Sequence, residues 1–273
     1  MILYYSNSGN TAFVAKTIAE VLGEDPKDIR ENIKAGVKHV YSETPFIICA
    51  PVYRMNLPSE LEDYINDLHF VGTRDVALVL TASFSAGNAK GRLVKSLRAK
   101  GLKVGLVNVF YPPTSNILGL TYPKQESAQK TFERMRAEVV HYAELFKKVQ
   151  PIVGVGSSLF GVFGTLIGRA LPKCDDKKFF ATDECISCGK CADTCHLNNI
   201  EIKDGKPCFL GNCDHCSACV NVCPKDALQY GKRTLGRERR RLEFVPSKPD
   251  VFDDIDPTPQ SVDDTAETEK ASE

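Results

Sequence analysis

The sequence predicts a doubly wound α/β domain followed by a small, cysteine-rich α+β domain. In residues 1–150, apolar strand-like runs alternate with helical patterns, which is typical of a parallel sheet covered on both faces. Nine of the eleven cysteines then fall within residues 181–230, eight of them in two runs of equal spacing. We therefore expect a first domain at 1–150, a connecting segment at 151–180, a second domain at 181–242 and a disordered acidic tail at 243–273.

The elements of the first domain follow from hydrophobic periodicity and from end signals. Pro58 precedes one helix and Glu60 and Glu62 lie in its first turn, where acidic side chains are favourable. Gly101 is the expected stop of another helix. A weaker strand is predicted at 28–33. The predicted strands are 2–5, 46–50, 76–81 and 103–109, and the predicted helices are 11–22, 59–68, 90–100 and 125–149.

Composition excludes some classes of function. Hydrophobic residues make up 42% and charged residues 26% of the chain, as in ordinary globular proteins, and the formal net charge is +0. A neutral chain has no general attraction for nucleic acid. The N-terminus lacks the features of a signal peptide, so we expect a cytoplasmic protein. Thiols stay reduced there, and clustered cysteines then favour metal binding.

One segment, Ile152 to Leu171, is apolar and about long enough to cross a bilayer. Ser157, Ser158, Arg169 and several glycines lower its hydrophobicity. These residues make a membrane span unlikely and favour a helix packed against the domains or a peripheral contact.

Two cysteine runs share the spacing C-x2-C-x2-C-x3-C, and Pro224 follows the second. This spacing resembles that of bacterial ferredoxins, which hold two [4Fe–4S] clusters. The resemblance implies that three cysteines of each run bind one cluster, whereas the fourth binds the other cluster. One implied ligand set is Cys185, Cys188, Cys191 and Cys223, and the other is Cys213, Cys216, Cys219 and Cys195.

Zinc is the alternative metal, but zinc sites usually take one cysteine pair from each of two separate places. One departure from the ferredoxin pattern is His196, which follows Cys195 where proline is usual. His215 lies between two expected ligands and is interpreted as a solvated loop residue rather than a residue that tunes a cluster. For the cysteines outside the two sets, inert packing is favoured over reactivity. These are Cys49, Cys174 and Cys208.

Small polar residues fill the turn between the first strand and the first helix. Backbone N–H groups, hydroxyls and a helix N-terminus can together surround a phosphate without a basic side chain. The turn matches neither a Walker A loop nor a dinucleotide-binding GxGxxG loop. A plain capped turn is the alternative. The residues of the turn are Ser6, Asn7, Ser8, Gly9, Asn10 and Thr11.

This turn and the strand–helix alternation resemble the phosphate loop and fold of flavodoxins, which bind FMN beyond the strand ends. The resemblance implies that the loops at 51–56 and 82–88 hold the isoalloxazine ring, with Tyr53 as the stacking aromatic. The alternative for Tyr53 is a surface tyrosine. The expected cofactor-binding residues outside the turn are Pro51, Val52, Tyr53, Ser83, Phe84 and Gly87.

The order of the two domains resembles the flavodoxin–ferredoxin fusion proteins over residues 1–241. The resemblance implies an electron-transfer protein with two [4Fe–4S] clusters and FMN, relaying electrons between low-potential one-electron carriers and redox partner enzymes. A flavin-dependent reductase of a small oxidant is the alternative, and a non-redox module with structural clusters is a third hypothesis. No catalytic residue is assigned, because the flavin loops lack an acid–base group. A basic strip at 232–241 is expected to guide an acidic partner, to pair with the acidic tail, or to be a solvated surface run.

Overall fold

Five parallel strands form the central sheet of the N-terminal domain in the computed structural model, which describes residues 1–119, 122–148 and 175–239. Helices α1 and α5 cover one face of the sheet, and α3 and α4 cover the other. In chain order the elements are β1 (Ile2–Tyr4), α1 (Asn10–Leu22), β2 (Lys27–Asp28), α2 (Ile29–Ala35), β3 (His39–Ser42), β4 (Phe46–Pro51), α3 (Ser59–Asp67), β5 (His69–Gly72), β6 (Asp75–Thr81), α4 (Ala89–Ala99), β7 (Lys103–Phe110) and α5 (Gln125–Lys148).

The strand order is β2-β1-β4-β6-β7. Numbered only by the strands of this sheet, the order is 2-1-3-4-5, which is the doubly wound order of flavodoxin-like folds. The predicted fold class is therefore confirmed. In such sheets a ligand site lies where the order reverses, here beyond the carboxyl ends of β1 and β4.

Successive residues of a strand point to opposite faces of the sheet, and in the central strands both sets of side chains are apolar. Leu3, Ile48 and Leu78 face the α3 and α4 side. Ile2 and Ile47 face α1 and α5. Burial on both faces explains why the strands are continuous apolar runs in the sequence rather than alternating ones.

The predicted strand at 28–33 is wrong. Strand β2 ends at Asp28, and helix α2 begins at the next residue. The Asp28 carboxylate accepts the backbone N–H of Arg30 at 2.9 Å and caps that helix. Sequence patterning also missed β3 and β5, which pair in parallel as a separate two-stranded sheet.

The C-terminal domain is a small α+β unit with two antiparallel strand pairs, β8 with β11 and β9 with β10. Phe179, Ile200, Val220, Leu228 and Tyr230 form its core. Its elements are β8 (Phe179–Ala181), α6 (Lys190–Asp193), β9 (Ile200–Lys203), β10 (Lys206–Phe209), α7 (Ala218–Val222) and β11 (Leu228–Tyr230), with 3₁₀ turns at Asp176–Lys178 and Gly231–Arg233.

The loop that follows β7 joins the two domains. Ile117 and Leu118 leave the sheet and are buried in the core of the C-terminal domain. The Ser115 carbonyl accepts the side-chain amide of Asn221 at 2.9 Å. Because this loop starts at the carboxyl end of β7, the C-terminal domain lies against the carboxyl edge of the sheet.

None of the helices in the described residues is long and apolar enough to cross a membrane. The apolar segment at 152–171 and the acidic tail both lie outside the described residues.

Candidate metal centre and sheet-edge site

Four cysteines from both runs line one cavity of the C-terminal domain. The loop between its first two cysteines turns tightly because Ser187 adopts a left-handed φ of 53°. Helix α6 positions a third cysteine, and the fourth follows α7. The cysteines of this first cavity are Cys185, Cys188, Cys191 and Cys223.

The other four cysteines of the two runs line a second cavity. Left-handed residues again shape the loop, here His215 at φ 66° and Ser217 at φ 63°. The structure therefore brings together the four members of each expected ligand set, including the one that crosses from the other run. The cysteines of this second cavity are Cys195, Cys213, Cys216 and Cys219.

Backbone N–H groups point at sulfur atoms of the second cavity. The N–H of Asn199 lies 3.3 Å from Sγ of Cys195, and the N–H of His215 lies 3.4 Å from Sγ of Cys213. Hydrogen bonds of this kind tune the potential of a cluster held by such sulfurs. Burial raises the pKa of the Cys216 and Cys219 thiols well above the usual range.

His215 is not a solvated loop residue. Its ring packs edge-on against Tyr230 with centroids 5.6 Å apart, and its Nε2 is buried. Burial lowers the pKa of His215, with Arg54 as a further cause.

The turn between β1 and α1 lies at the domain boundary, and groups outside the turn bind four of its side chains, while the Ser6 hydroxyl accepts the Gly9 N–H at 3.2 Å. Oγ of Ser8 lies 2.7 Å from Oγ of Ser115, and the Asn10 amide donates to the Pro113 carbonyl at 3.0 Å. Gly9, at φ 92°, precedes the first residue of α1. The remaining two contacts are Thr11 Oγ1 to Thr81 Oγ1 at 2.7 Å and Asn7 Nδ2 to His196 Nδ1 at 2.9 Å.

The loop after β4 is a tight hairpin that begins at Tyr53. Tyr53 and Asn56 exchange two backbone hydrogen bonds, of 2.8 and 2.9 Å, while Arg54 and Met55 both adopt left-handed φ. Two such residues in succession are costly, and strain of this type concentrates at functional sites. The Tyr53 hydroxyl is buried, so Tyr53 is not a surface tyrosine. Burial, with Cys216 and Asp214 nearby, raises the pKa of Tyr53.

The loop at 82–88, which follows β6, makes fewer contacts at the carboxyl edge of the sheet. Phe84 is 74% exposed and Ser83 is also exposed. Gly87 lies against the hairpin, where an added Cβ would be 2.6 Å from the Met55 carbonyl oxygen. At the end of β4, Val52 donates its N–H to the Thr81 carbonyl at 2.8 Å, just after Pro51.

His196 connects the second cavity to the sheet edge, a role that sequence reasoning missed. Its imidazole is 3% exposed, and its Nε2 lies 2.8 Å from Oδ2 of Asp214. Its ring centroid is 6.2 Å from that of Tyr5 and 6.3 Å from that of Tyr53. Burial alone would raise the pKa of Asp214, but the hydrogen bond and charge of His196 lower it. The sequence feature that could have indicated this role is the histidine that follows Cys195 in place of the usual proline.

Three arginines of the basic strip bind the protein itself. Arg233 donates to the Leu118 carbonyl at 3.0 Å, and Arg237 donates to the Ile117 and Gly119 carbonyls at 2.7 Å each. Arg239 is buried and donates to the carbonyl of Leu228 and to the side chain of Gln229. These arginines are therefore not a solvated surface run. Residues 240 and 241 lie outside the described residues.

Comparison with protein families settles the class of the C-terminal domain. Residues 182–198 and 210–229 each match a model of the 4Fe-4S binding domain. This part of the chain is a ferredoxin domain. Over 70 residues the chain is 31% identical to the polyferredoxin protein MvhB of Methanothermus fervidus. That match covers 25% of this chain and only 17% of the relative's length.

Solved structures similar to the N-terminal domain include three flavin-related proteins. A flavoprotein from Bacteroides uniformis matches with a TM-score of 0.31 at 15% identity, covering 49% of this chain and 96% of its own. Megasphaera elsdenii flavodoxin matches with a TM-score of 0.31 at 15% identity, covering 50% and 99%. The Flv1 flavodiiron core from Synechocystis matches with a TM-score of 0.33 at 17% identity, covering 55% and 36%. The fold assignment rests on the strand order and not on these similarities.

Proposed function

We propose that this chain is an electron-transfer protein of a reducing compartment such as the cytoplasm, with two [4Fe–4S] clusters in its ferredoxin domain. The first cluster would be held by the four cysteines of the first cavity and the second by those of the second cavity. The observation that carries the proposal is the gathering of four thiols from both runs in each of two cavities. A bound cluster of this type accepts or donates one electron at a time.

The chain's own residues prepare these sites in two ways. The left-handed loop residues around the second cavity direct backbone N–H groups toward sulfur, which stabilises negative charge there. The surrounding core excludes water from Cys219 and Val220. Because burial raises the thiol pKa values, cluster assembly should release protons.

We further propose that FMN binds at the carboxyl edge of the sheet, in contact with the turn at 6–11 and with Tyr53. Unpartnered buried polar atoms support this ligand: the Asn7, Asn10 and Asn56 side-chain oxygens have no hydrogen-bond partner. Buried polar atoms without partners are rare, and a ligand with hydrogen-bond donors would satisfy these acceptors. Bound flavin supplies one- or two-electron chemistry, which would let the protein link single-electron carriers to redox partner enzymes.

The turn could hold a phosphate with few side-chain donors. Hydroxyls of Ser8 and Thr11 already have protein partners. The first N–H groups of α1 lack partners within the helix and carry its positive dipole end. Gly9 allows close approach to them. A phosphate there would rely mainly on the backbone.

Anaerobic purification tests the proposal directly. We expect about eight irons and eight sulfides per chain, the content of two cubane clusters. Titration of flavin-free protein with FMN should quench flavin fluorescence at micromolar concentrations, and the absence of quenching would refute the FMN proposal. Zinc without visible absorbance would refute the cluster proposal.

A second candidate is an electron carrier that uses only its iron–sulfur clusters. Its flavodoxin-like domain would bind no flavin and would only pack against the ferredoxin domain. It is favoured by the four side chains of the turn that already bind protein groups, above all Asn7 on His196. Full cluster content without FMN binding would select this candidate. A flavin-dependent reductase would instead show steady turnover of a small quinone.

A further inference from the structure

The two cysteine sets differ in their access to solvent. In the first set Cys188 is exposed, and its neighbour Ile186 is 56% exposed. In the second set Cys219 is buried. The hydrogen bonds described for the loop at 185–189 run to residues 182 and 205 of the same domain.

The N-terminal domain covers the second set. Asn7 and Tyr53 contact His196, which follows Cys195. The Asn116 side-chain oxygen accepts the Ser217 hydroxyl at 2.9 Å, two residues before Cys219. Ile117 and Leu118 pack in the same cluster as Cys219. The contacts at His196 and Ser217 thus lie on the second-cavity side.

We propose that the loop at 185–189 is the face through which this protein exchanges electrons with a one-electron carrier protein. Electron transfer between proteins weakens steeply with distance, so a carrier must come close to a redox centre. Within the described residues, the N-terminal domain lies against the loops of the second cavity, whereas Ile186 and Cys188 beside the first cavity are exposed. In each exchange the carrier loses one electron and this protein gains one, or the reverse, and no bond is made or broken.

The inference rests on the proposed electron-transfer function, so the test begins with anaerobically prepared protein whose iron and sulfide content shows both clusters. A chain without clusters would refute the proposed function before access is measured. Cys213→Ser should retain the first site and Cys188→Ser the second. Electron paramagnetic resonance of the reduced variants is then recorded with and without a soluble dysprosium chelate.

We expect the chelate to speed relaxation several-fold in Cys213→Ser and to have little effect in Cys188→Ser. Equal effects, or the reverse order, would overturn the inference. Wild-type protein provides the same measurement should a variant lose both clusters. One of its two spectral components should respond to the chelate, and a uniform response of both would overturn the inference.

Kinetics with a protein-sized probe completes the test. Reduced plant-type [2Fe–2S] ferredoxin should reduce Cys213→Ser several-fold faster than Cys188→Ser. A small viologen radical, which needs no docking face, should reduce both variants at similar rates. If the ratio of the two variants' reduction rates were the same with ferredoxin as with viologen, the proposed face would be refuted.

Discussion

The Asn7 amide of the β1–α1 turn lies 2.9 Å from Nδ1 of His196, across the boundary between the two domains. His196 also binds Asp214 through Nε2. Asp214 in turn accepts the backbone N–H of Cys216 at 3.1 Å. One imidazole therefore connects the expected phosphate turn to the loop of the second cavity.

Replacing His196 by alanine should loosen this connection. The Asn7 amide and the Asp214 carboxylate would both lose a partner, at an expected cost of about 1–3 kcal/mol. Hydrogen–deuterium exchange of residues 6–11 should become faster. His196→Gln, which can still donate and accept, should restore part of the protection, whereas His141→Ala, on an exposed position of α5, should change nothing. Unchanged exchange in His196→Ala would contradict the role of this histidine.

The crossing of ligands between runs predicts which cysteine substitutions act on the same site. Cys195→Ser combined with Cys213→Ser should cost no more iron than either alone, about four of eight atoms, because both would serve the second cluster. Cys195→Ser combined with Cys188→Ser should remove iron from both sites. Iron analysis of anaerobic protein measures each case. Cys208→Ser is the matched control and should keep full iron content. Additive loss in the first pair would instead indicate that each run binds its own cluster.

Arg237 should stabilise the domain boundary. Its guanidinium donates to two carbonyls of the loop that enters the ferredoxin domain, and hydrogen bonds from a charged donor contribute about 1.5–3 kcal/mol. Arg237→Gln should therefore lower the thermal midpoint and speed proteolysis between the domains. Lys232→Gln removes a charge from an exposed position of the same strip and should leave both measurements unchanged. Equal effects of the two substitutions would show that the positive charge, and not the contacts with these carbonyls, stabilises the domain boundary.

Two glycines with left-handed φ separate backbone strain from crowding at the sheet edge. Gly23 has no atom near the position of an added Cβ, whereas Gly87 faces the Met55 backbone. Gly23→Ala should cost about 1–2 kcal/mol from strain alone. Gly87→Ala should cost more, because the Tyr53 hairpin must also move. Denaturation midpoints compare the two, and the hypothesis fails if both alanines cost the same.

The sequence by itself determined the fold class and the metal chemistry. Apolar periodicity reflects burial on the two faces of a sheet, so it predicted four of the five central strands and the helices beside them, with ends shifted by only one or two residues. Cysteine spacing is a local property too, and a three-residue step suits a loop wrapped around one metal centre. The short pair β3 and β5 carried too little local pattern to be recognised.

Only the tertiary structure decided how these parts meet. The contacts of Asn7 with His196 and of Ile117 with Arg237 join residues more than one hundred positions apart. No local pattern encodes such pairs, because they depend on how two separately folded domains pack. The same packing places Asn7 of the turn against the ferredoxin domain and turns two arginines of the basic strip toward carbonyls of the 117–119 loop. It leaves Cys188 of the first set exposed, whereas Cys219 of the second set is buried. Local sequence patterns predict which residues of a segment are buried or bind metal. The packing of the two domains decides which of these residues remain accessible to a partner protein.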